Sequence, residues 1–131
     1  MRYISPIVWA ILYHDAFLPE FAALSDAVQD ELLAMAELLS LHGPRLGRPH
    51  ADTLAGSNHA NMKELRFRAD DGVWRVAFAF DPERRAIMLV AGDKSGTAQK
   101  RFFKSLIGRA DARFAAHLEM VKGKNDAADP R

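Results

Sequence analysis

The chain has 131 residues, of which 49% are hydrophobic and 27% charged, a balance that predicts one globular domain and excludes a disordered or fibrous protein. It contains no cysteine, which excludes disulfide frameworks, thiolate metal sites and thiol catalysis and favours a cytoplasmic location. The net charge of +1 divides unevenly, because residues 1–42 carry one basic against six acidic residues and residues 43–131 carry seventeen against eleven.

The first third of the chain predicts a strand followed by two helices. Residues 7–13 form an apolar run that is too short to span a membrane and that no secretory cleavage signal follows. From residue 17 to residue 41, apolar residues recur every three or four positions, as on one face of a helix. Ser25 is the expected N-cap of the second helix, and Gly43 with Pro44 ends it.

The middle of the chain predicts a loop and then a β-hairpin. Residues 45–58 are rich in glycine and proline and show no hydrophobic period, which indicates a basic loop. Residues 61–69 and 74–80 alternate apolar with polar or small side chains, as half-buried strands do. The sequence Asp-Asp-Gly at 70–72 lies between them and predicts the turn of an antiparallel pair.

A second turn at residues 81–84 leads into residues 86–91, which are apolar on both faces and predict a central strand. Residues 98–121 have a helical pattern interrupted at Gly108, which predicts one or two helices. We therefore expect an α+β domain over residues 1–122, with an N-terminal strand, two helices, a curved antiparallel sheet covered by helices on one side, and C-terminal helices. Residues 123–131 are expected to form a flexible tail.

Five blocks of the sequence resemble HigB-like toxins of the RelE/ParE superfamily. The resemblance runs from about residue 17 to residue 118, and the blocks follow the order and spacing of that family. They read GPRLGRP at 43–49, DTLAGS at 52–57, NMKELR at 61–66, WRVAFAFDP at 74–82 and AGDKSG at 91–96.

The resemblance implies a small ribonuclease on a curved antiparallel sheet, acting as the toxin of a type II toxin-antitoxin pair. Its expected activity is metal-independent cleavage of messenger RNA on the ribosome, which inhibits translation. The expected partners are a helix-turn-helix antitoxin, the ribosome and messenger RNA, without a membrane or a cofactor.

RNA cleavage through the 2′-hydroxyl requires a proton acceptor, a proton donor and cations that neutralise the phosphate. Arg66 and Arg68 share one face of their strand, and Arg75 lies on the next strand of the hairpin, so these arginines are the first candidates. In the alternative interpretation, Arg66 or Arg75 pairs with Glu64 or an aspartate and only braces the sheet.

Other candidates for the chemistry are Asp93, Lys94 and His59. Asp93 and Lys94 follow the central strand, where Asp93 would act as base or orient Lys94, and Lys94 would bind phosphate. A solvated turn with a capping aspartate is the alternative. His59 precedes the first hairpin strand and would act as acid or base, although a loop histidine is often merely exposed.

Six further basic residues are expected to bind the ribosomal RNA backbone, unless they form only a solvated surface. They are Arg45, Arg48, Lys63, Lys100, Arg101 and Lys104. No two histidines have the i, i+4 spacing of a helical metal site, so no metal is expected.

Two competing hypotheses remain. Some superfamily toxins use a tyrosine in the last helical segment, but residues 101–104 here read RFFK, and the only tyrosines are Tyr3 and Tyr13. If the missing tyrosine means that the chain cannot cleave RNA, the chain would be a non-catalytic RNA- or ribosome-binding relative of these toxins. The other hypothesis is a ParE-like gyrase inhibitor on the same fold, because fold alone does not decide function.

Overall fold

The computed structural model describes the backbone of residues 8–128 and the side chains of residues 8–125. Three α-helices, one short 3-10 helix and five strands lie in this part of the chain, and no helix in it is long and apolar enough to cross a membrane. In chain order the elements are β1 Ala10–Tyr13, α1 Phe17–Ala22, α2 Asp26–His42, η1 Gly43–Arg45, β2 Ala51–Thr53, β3 Lys63–Ala69, β4 Gly72–Phe80, β5 Arg85–Asp93 and α3 Gln99–Ala128.

The five strands form one mixed sheet in the order β1-β5-β4-β3-β2. Strands β2 to β5 pair antiparallel, whereas β1 pairs parallel with β5. The predicted hairpin is confirmed, and Asp70 and Asp71 at its turn both have positive φ, which matches the twist of the flanking strands. Strand β2 lies in the segment predicted as loop, because three residues that pair with only one neighbour leave no periodic signal.

Helices cover both faces of the sheet, so the prediction of helices on one side is wrong. Helices α1 and α2 pack on one face through a core that includes Phe17, Leu32, Phe78 and Met88. Helix α3 packs on the other face against residues such as Leu89. Coverage on both faces explains why β5 is apolar on both of its sides.

Helix boundaries agree with the sequence at the N-terminal half. The Ser25 hydroxyl accepts a hydrogen bond from the Val28 amide, and α2 ends at Gly43, which has a φ of 55°. Of the one or two helices predicted for residues 98–121 the structure has one, because the exposed Gly108 lies within a continuous α3. The helix continues to Ala128, past the predicted domain limit at residue 122, and residues 129–131 of the predicted tail lie outside the described residues.

A buried carboxylate organises the turn between β4 and β5. Asp81 accepts hydrogen bonds from the amides of Glu83 and Arg85 and from the Arg85 guanidinium. Its Oδ2 also lies 2.9 Å from Nε2 of His117 in α3. Burial alone would raise the pKa of Asp81, but these hydrogen bonds hold it below its ordinary value.

Replacing this carboxylate should destabilise the fold. For Asp81→Ala we expect the free energy of unfolding to fall by about 3 kcal/mol, because the change leaves buried donors and Arg85 without their acceptor. Because the pKa of Asp81 is lowered in the folded state, this contribution is present at neutral pH and is lost in acid as the carboxylate is protonated.

Urea unfolding at neutral and acidic pH measures both effects. Glu83→Ala is the matched control, because Glu83 pairs with the same Arg85 at 3.2 Å but is exposed, and should cost under about 1 kcal/mol. Equal losses for the two variants would contradict the role assigned to Asp81.

Candidate functional site

Four of the predicted catalytic residues line one cleft of about 420 Å³ at the turn end of the β3–β4 hairpin. These are Arg66, Arg68, Arg75 and Lys94. Pro49, which precedes β2, closes one side of the cleft. The site therefore brings three guanidinium groups and one ammonium group around a space that is open to solvent.

The strand register explains why the arginines meet. Arg66 is directly opposite Arg75, and Arg68 is opposite Val73. On β3 these residues alternate with Leu65 and Phe67, which belong to the core under α2. Side chains of a strand alternate between faces, so the arginines lie on the opposite face of the sheet, the one that α3 covers only in part.

Lys94 enters the cleft just after β5. Its amide donates a hydrogen bond to the carbonyl of Val73, which ties the turn after β5 to the start of β4. Desolvation lowers the pKa of Lys94, and the positive charges of Arg75 and Arg66 lower it further. An ammonium group in this environment binds anions and also gives up its proton more readily than an exposed lysine.

Glu64 lies beside the cleft, and its burial is the feature of the site that the sequence does not reveal. It is 6% exposed, and its Oε1 is 3.6 Å from Nε of Arg66 and 3.8 Å from Nε of Arg75. The other oxygen, Oε2, and Nε of Arg75 are buried without a hydrogen-bond partner. Burial raises the pKa of Glu64, although the arginines oppose the shift.

Pairing of Arg66 and Arg75 with Glu64 is the purely structural alternative to a catalytic role for these arginines. The alternation of β3 placed Glu64 on the arginine face, but the sequence carried no signal that this carboxylate would be buried. Burial comes from its neighbours in the sheet, since Glu64 lies between Asp52 on β2 and Ala77 on β4. Strand β2 was not predicted, so this environment was not visible in the sequence.

A second, more exposed carboxylate lies at the outer side of the cleft. Asp52 is 2.9 Å from Nε of Arg48 and 4.0 Å from Arg66. Hydrogen bonds from the Thr53 amide and from Arg48 lower the pKa of Asp52. Arg48 is thus engaged in an exposed ion pair beside the cleft, where the free energy of such a pair is small.

Asp93 does not line the cleft, and its carboxylate is occupied by the turn. Its Oδ1 accepts hydrogen bonds from the amides of Val73 and Ser95 and from the Ser95 hydroxyl. Desolvation raises the pKa of Asp93, but these bonds outweigh it and lower the pKa below its ordinary value, which makes the carboxylate a weaker base. The capping alternative therefore describes the geometry of Asp93 better than the role of general base.

His59 lies apart from the four cations, against α3. Its ring meets Phe114 edge to face with centroids 5.0 Å apart, in a separate pocket lined also by Asp81. The structure does not place His59 with the arginines. His59 precedes the start of β3 at Lys63, whereas the cleft that the arginines line lies towards the other end of this strand. His59 lies in a loop without hydrophobic periodicity, so the sequence gives no signal for which face of the sheet its side chain would lie against.

The six predicted RNA-contacting residues are spread over several elements. Lys100, Arg101 and Lys104 are exposed on the first turns of α3, and Lys63 is half-buried at the start of β3. Arg45 instead lines a pocket with Trp9. No group of three or more metal-ligating side chains occurs among the described residues.

The chain is similar to known proteins in both its sequence and its fold. Residues 19–115 match the family described as "Phage derived protein Gp49-like". The chain is 47% identical over 88 residues to the candidate toxin HigB2 of Mycobacterium tuberculosis, a match that covers 66% of this chain and 43% of that protein. It therefore spans less than half the length of this relative.

Two further similarities cover more of the proteins compared. The chain is 43% identical over 93 residues to the candidate toxin HigB3 of Mycobacterium tuberculosis, covering 71% of this chain and 79% of the relative. A solved structure of E. coli toxin RelE, a double arginine-to-alanine mutant in the free state, superposes with a TM-score of 0.55 at 16% identity. This superposition covers 76% of the chain and 94% of that structure, and it shows the fold.

The capping role of Asp93 predicts different effects for two substitutions. Asp93→Asn retains the Oδ1 acceptor but loses the charge that these hydrogen bonds favour, so it should lower the free energy of unfolding less than Asp93→Ala does. Asp93→Ala removes the acceptor for the Val73 and Ser95 amides and should cost about 1 kcal/mol. Urea unfolding of both variants measures the difference, and an Asn variant as unstable as the Ala variant would contradict the capping role.

Proposed function

Because the chain belongs to the family of phage derived Gp49-like proteins, we propose that it is the toxin of a type II toxin-antitoxin pair and cleaves messenger RNA on the ribosome. The resemblance to HigB-like proteins is confirmed by the family match and by two relatives at more than 40% identity. The RelE fold is confirmed by superposition. Activity and target are the proposal.

The observation that carries the proposal is the convergence of Arg66, Arg68, Arg75 and Lys94 on one open cleft. Four like charges within one cleft repel each other, so a protein selected only for stability has no reason to collect them there. A phosphodiester of RNA would supply the missing negative charge. Guanidinium groups suit it because their fixed donors match the oxygens of a phosphate.

The proposed chemistry uses the 2′-hydroxyl of the RNA as nucleophile. The hydroxyl loses its proton to a solvent water, its oxygen forms a bond to phosphorus while the bond to the 5′ oxygen breaks, and the products are a 2′,3′-cyclic phosphate and a new 5′-hydroxyl. Arg66, Arg68 and Arg75 would hold the two nonbridging oxygens and stabilise the additional charge of the transition state. Lys94, with its lowered pKa, would give the departing 5′ oxygen a proton.

Basic residues outside the cleft would bind the ribosomal RNA. Lys100, Arg101 and Lys104 lie exposed at the start of α3, the helix that follows Lys94 in the chain. Contacts of this kind with the ribosomal RNA backbone would raise affinity without sequence preference. A cytoplasmic location follows from this target, and a helix-turn-helix antitoxin is the proposed inhibitor.

Substitution in the cleft tests this function directly. When the protein is expressed from an inducible promoter, we expect growth arrest and new 5′ ends within translated messages. Arg66→Ala should reduce cleavage at least about 100-fold, because it removes one charge-stabilising donor from the transition state. Mapping of message 5′ ends with quantification after induction measures the effect.

Lys122→Ala is the matched control, because Lys122 is an exposed cation in the C-terminal part of α3 and does not line the cleft. It should cleave like the unmodified protein. Growth arrest with intact messages would contradict the ribonuclease and favour a gyrase inhibitor. Ribosome binding without cleavage or arrest would instead indicate the non-catalytic relative.

A further inference from the structure

Glu64 is a buried carboxylate with two guanidinium neighbours and no hydrogen bond to either of them. Both Nε atoms lie beyond hydrogen-bond distance of Oε1, and Oε2 has no partner. A buried ionised carboxylate normally requires well-formed hydrogen bonds to offset the loss of its hydration. In Glu64 the nearby positive charges of Arg75, Arg66 and Lys94 supply that compensation, so its ionisation depends on them.

The same guanidinium groups are the ones that face the cleft. Arg66 and Arg75 line it, whereas Glu64 does not. In the free protein, Glu64 neutralises part of their charge from the buried side. A phosphate in the cleft would approach the arginines from the solvent side and compete with Glu64 for the same positive charge.

We propose that Glu64 is a positioning residue that serves as the internal counter-ion of Arg66 and Arg75, and that a phosphodiester bound in the cleft replaces it while Glu64 takes up one proton. The proton comes from solvent and no bond to the ligand is formed. The protein thereby keeps its arginines in place when the cleft is empty and avoids burying two competing anions when it is filled. This proposal rests on the phosphate-binding role of the cleft.

The direction of the linked protonation follows from the charges that face Glu64. Desolvation raises the pKa of its carboxyl group, Arg75, Arg66 and Lys94 lower it, and Asp52 on β2 raises it. A bound phosphate offsets the three cations and adds a negative charge, so the pKa of Glu64 rises further. Binding then becomes tighter as the pH falls, over the range between the pKa values of the free and bound forms.

Lys94 also faces the ligand, and a bound phosphate favours its ammonium form, so any proton uptake by Lys94 adds to that of Glu64. The contribution of Glu64 must therefore be measured as a difference between proteins that keep Lys94. Glu64→Gln has nearly the same shape and cannot ionise. Asp52→Asn is the matched control, because it also removes a carboxylate near Arg66, but one that is more exposed and whose pKa is lowered.

The experiment measures binding of a short single-stranded RNA that carries 2′-O-methyl groups and cannot be cleaved. Calorimetry in two buffers of different ionisation enthalpy, between pH 6 and pH 8, gives both the Kd and the number of protons taken up. Each proton bound changes the Kd by up to about tenfold per pH unit. We expect greater proton uptake in the unmodified protein and in Asp52→Asn than in Glu64→Gln.

Glu64→Gln should also bind more tightly than the unmodified protein at pH 8, since it lacks the competing charge. Equal proton uptake in the unmodified protein and in Glu64→Gln would overturn the proposal for Glu64, but it would leave the phosphate-binding role of the cleft in place. Absence of RNA binding by every protein would overturn both this proposal and the phosphate-binding cleft. If Glu64→Gln fails to fold, Glu64→Asp is used in its place. Its proton uptake on RNA binding should depend on pH differently from that of the unmodified protein, and an unchanged dependence would overturn the proposal.

Discussion

The register of the β3–β4 hairpin is the constraint on which the site depends. The two-residue turn at Asp70 and Asp71 fixes this register and sets Arg66 opposite Arg75. Because side chains alternate along a strand, a slip by one residue would send the arginines into the core under α2 and expose Leu65 and Phe67. The same pairing therefore buries the core and gathers the cations.

Gathering the cations has an electrostatic cost that the surrounding structure offsets in part. Glu64 supplies a buried negative charge, and Asp52 supplies a more exposed one at the outer side. Neither forms a close ion pair with the arginines, since the distances from 3.6 to 4.0 Å exceed those of a strong charged hydrogen bond. The arrangement leaves the cleft positively charged and able to accept an anion.

The two helical layers determine where the cleft can open. Helices α1 and α2 cover one face of the sheet completely enough to bury Leu65 and Val76. On the other face α3 packs over Gly92, whose missing side chain allows the Phe102 ring to lie close to the β5 backbone. The arginines lie beside this helix, at the turn end of the hairpin, so one end of the sheet face stays open to solvent.

The sequence by itself determined the features that depend on local periodicity and turn chemistry. Alternation along β3 and β4 placed Arg66, Arg68 and Arg75 on a common face, the two-residue turn joined those strands, and Ser25 and Gly43 marked the limits of α2. Such features follow from neighbouring residues in the chain, so a single sequence contains their full signal. The family resemblance supplied the fold through the order of its motifs.

Tertiary structure alone decided the environment of each candidate group. Burial of Glu64 depends on β2 and β4, one of the hydrogen bonds to Asp93 comes from Val73 on the neighbouring strand, and His59 is held against α3 away from the cations. The continuity of α3 through Gly108 was likewise decided by packing against the sheet, which outweighs the low helix propensity of glycine. Solvation and ion pairing depend on residues distant in the chain, and their effect on a titratable group exists only once the fold brings them together.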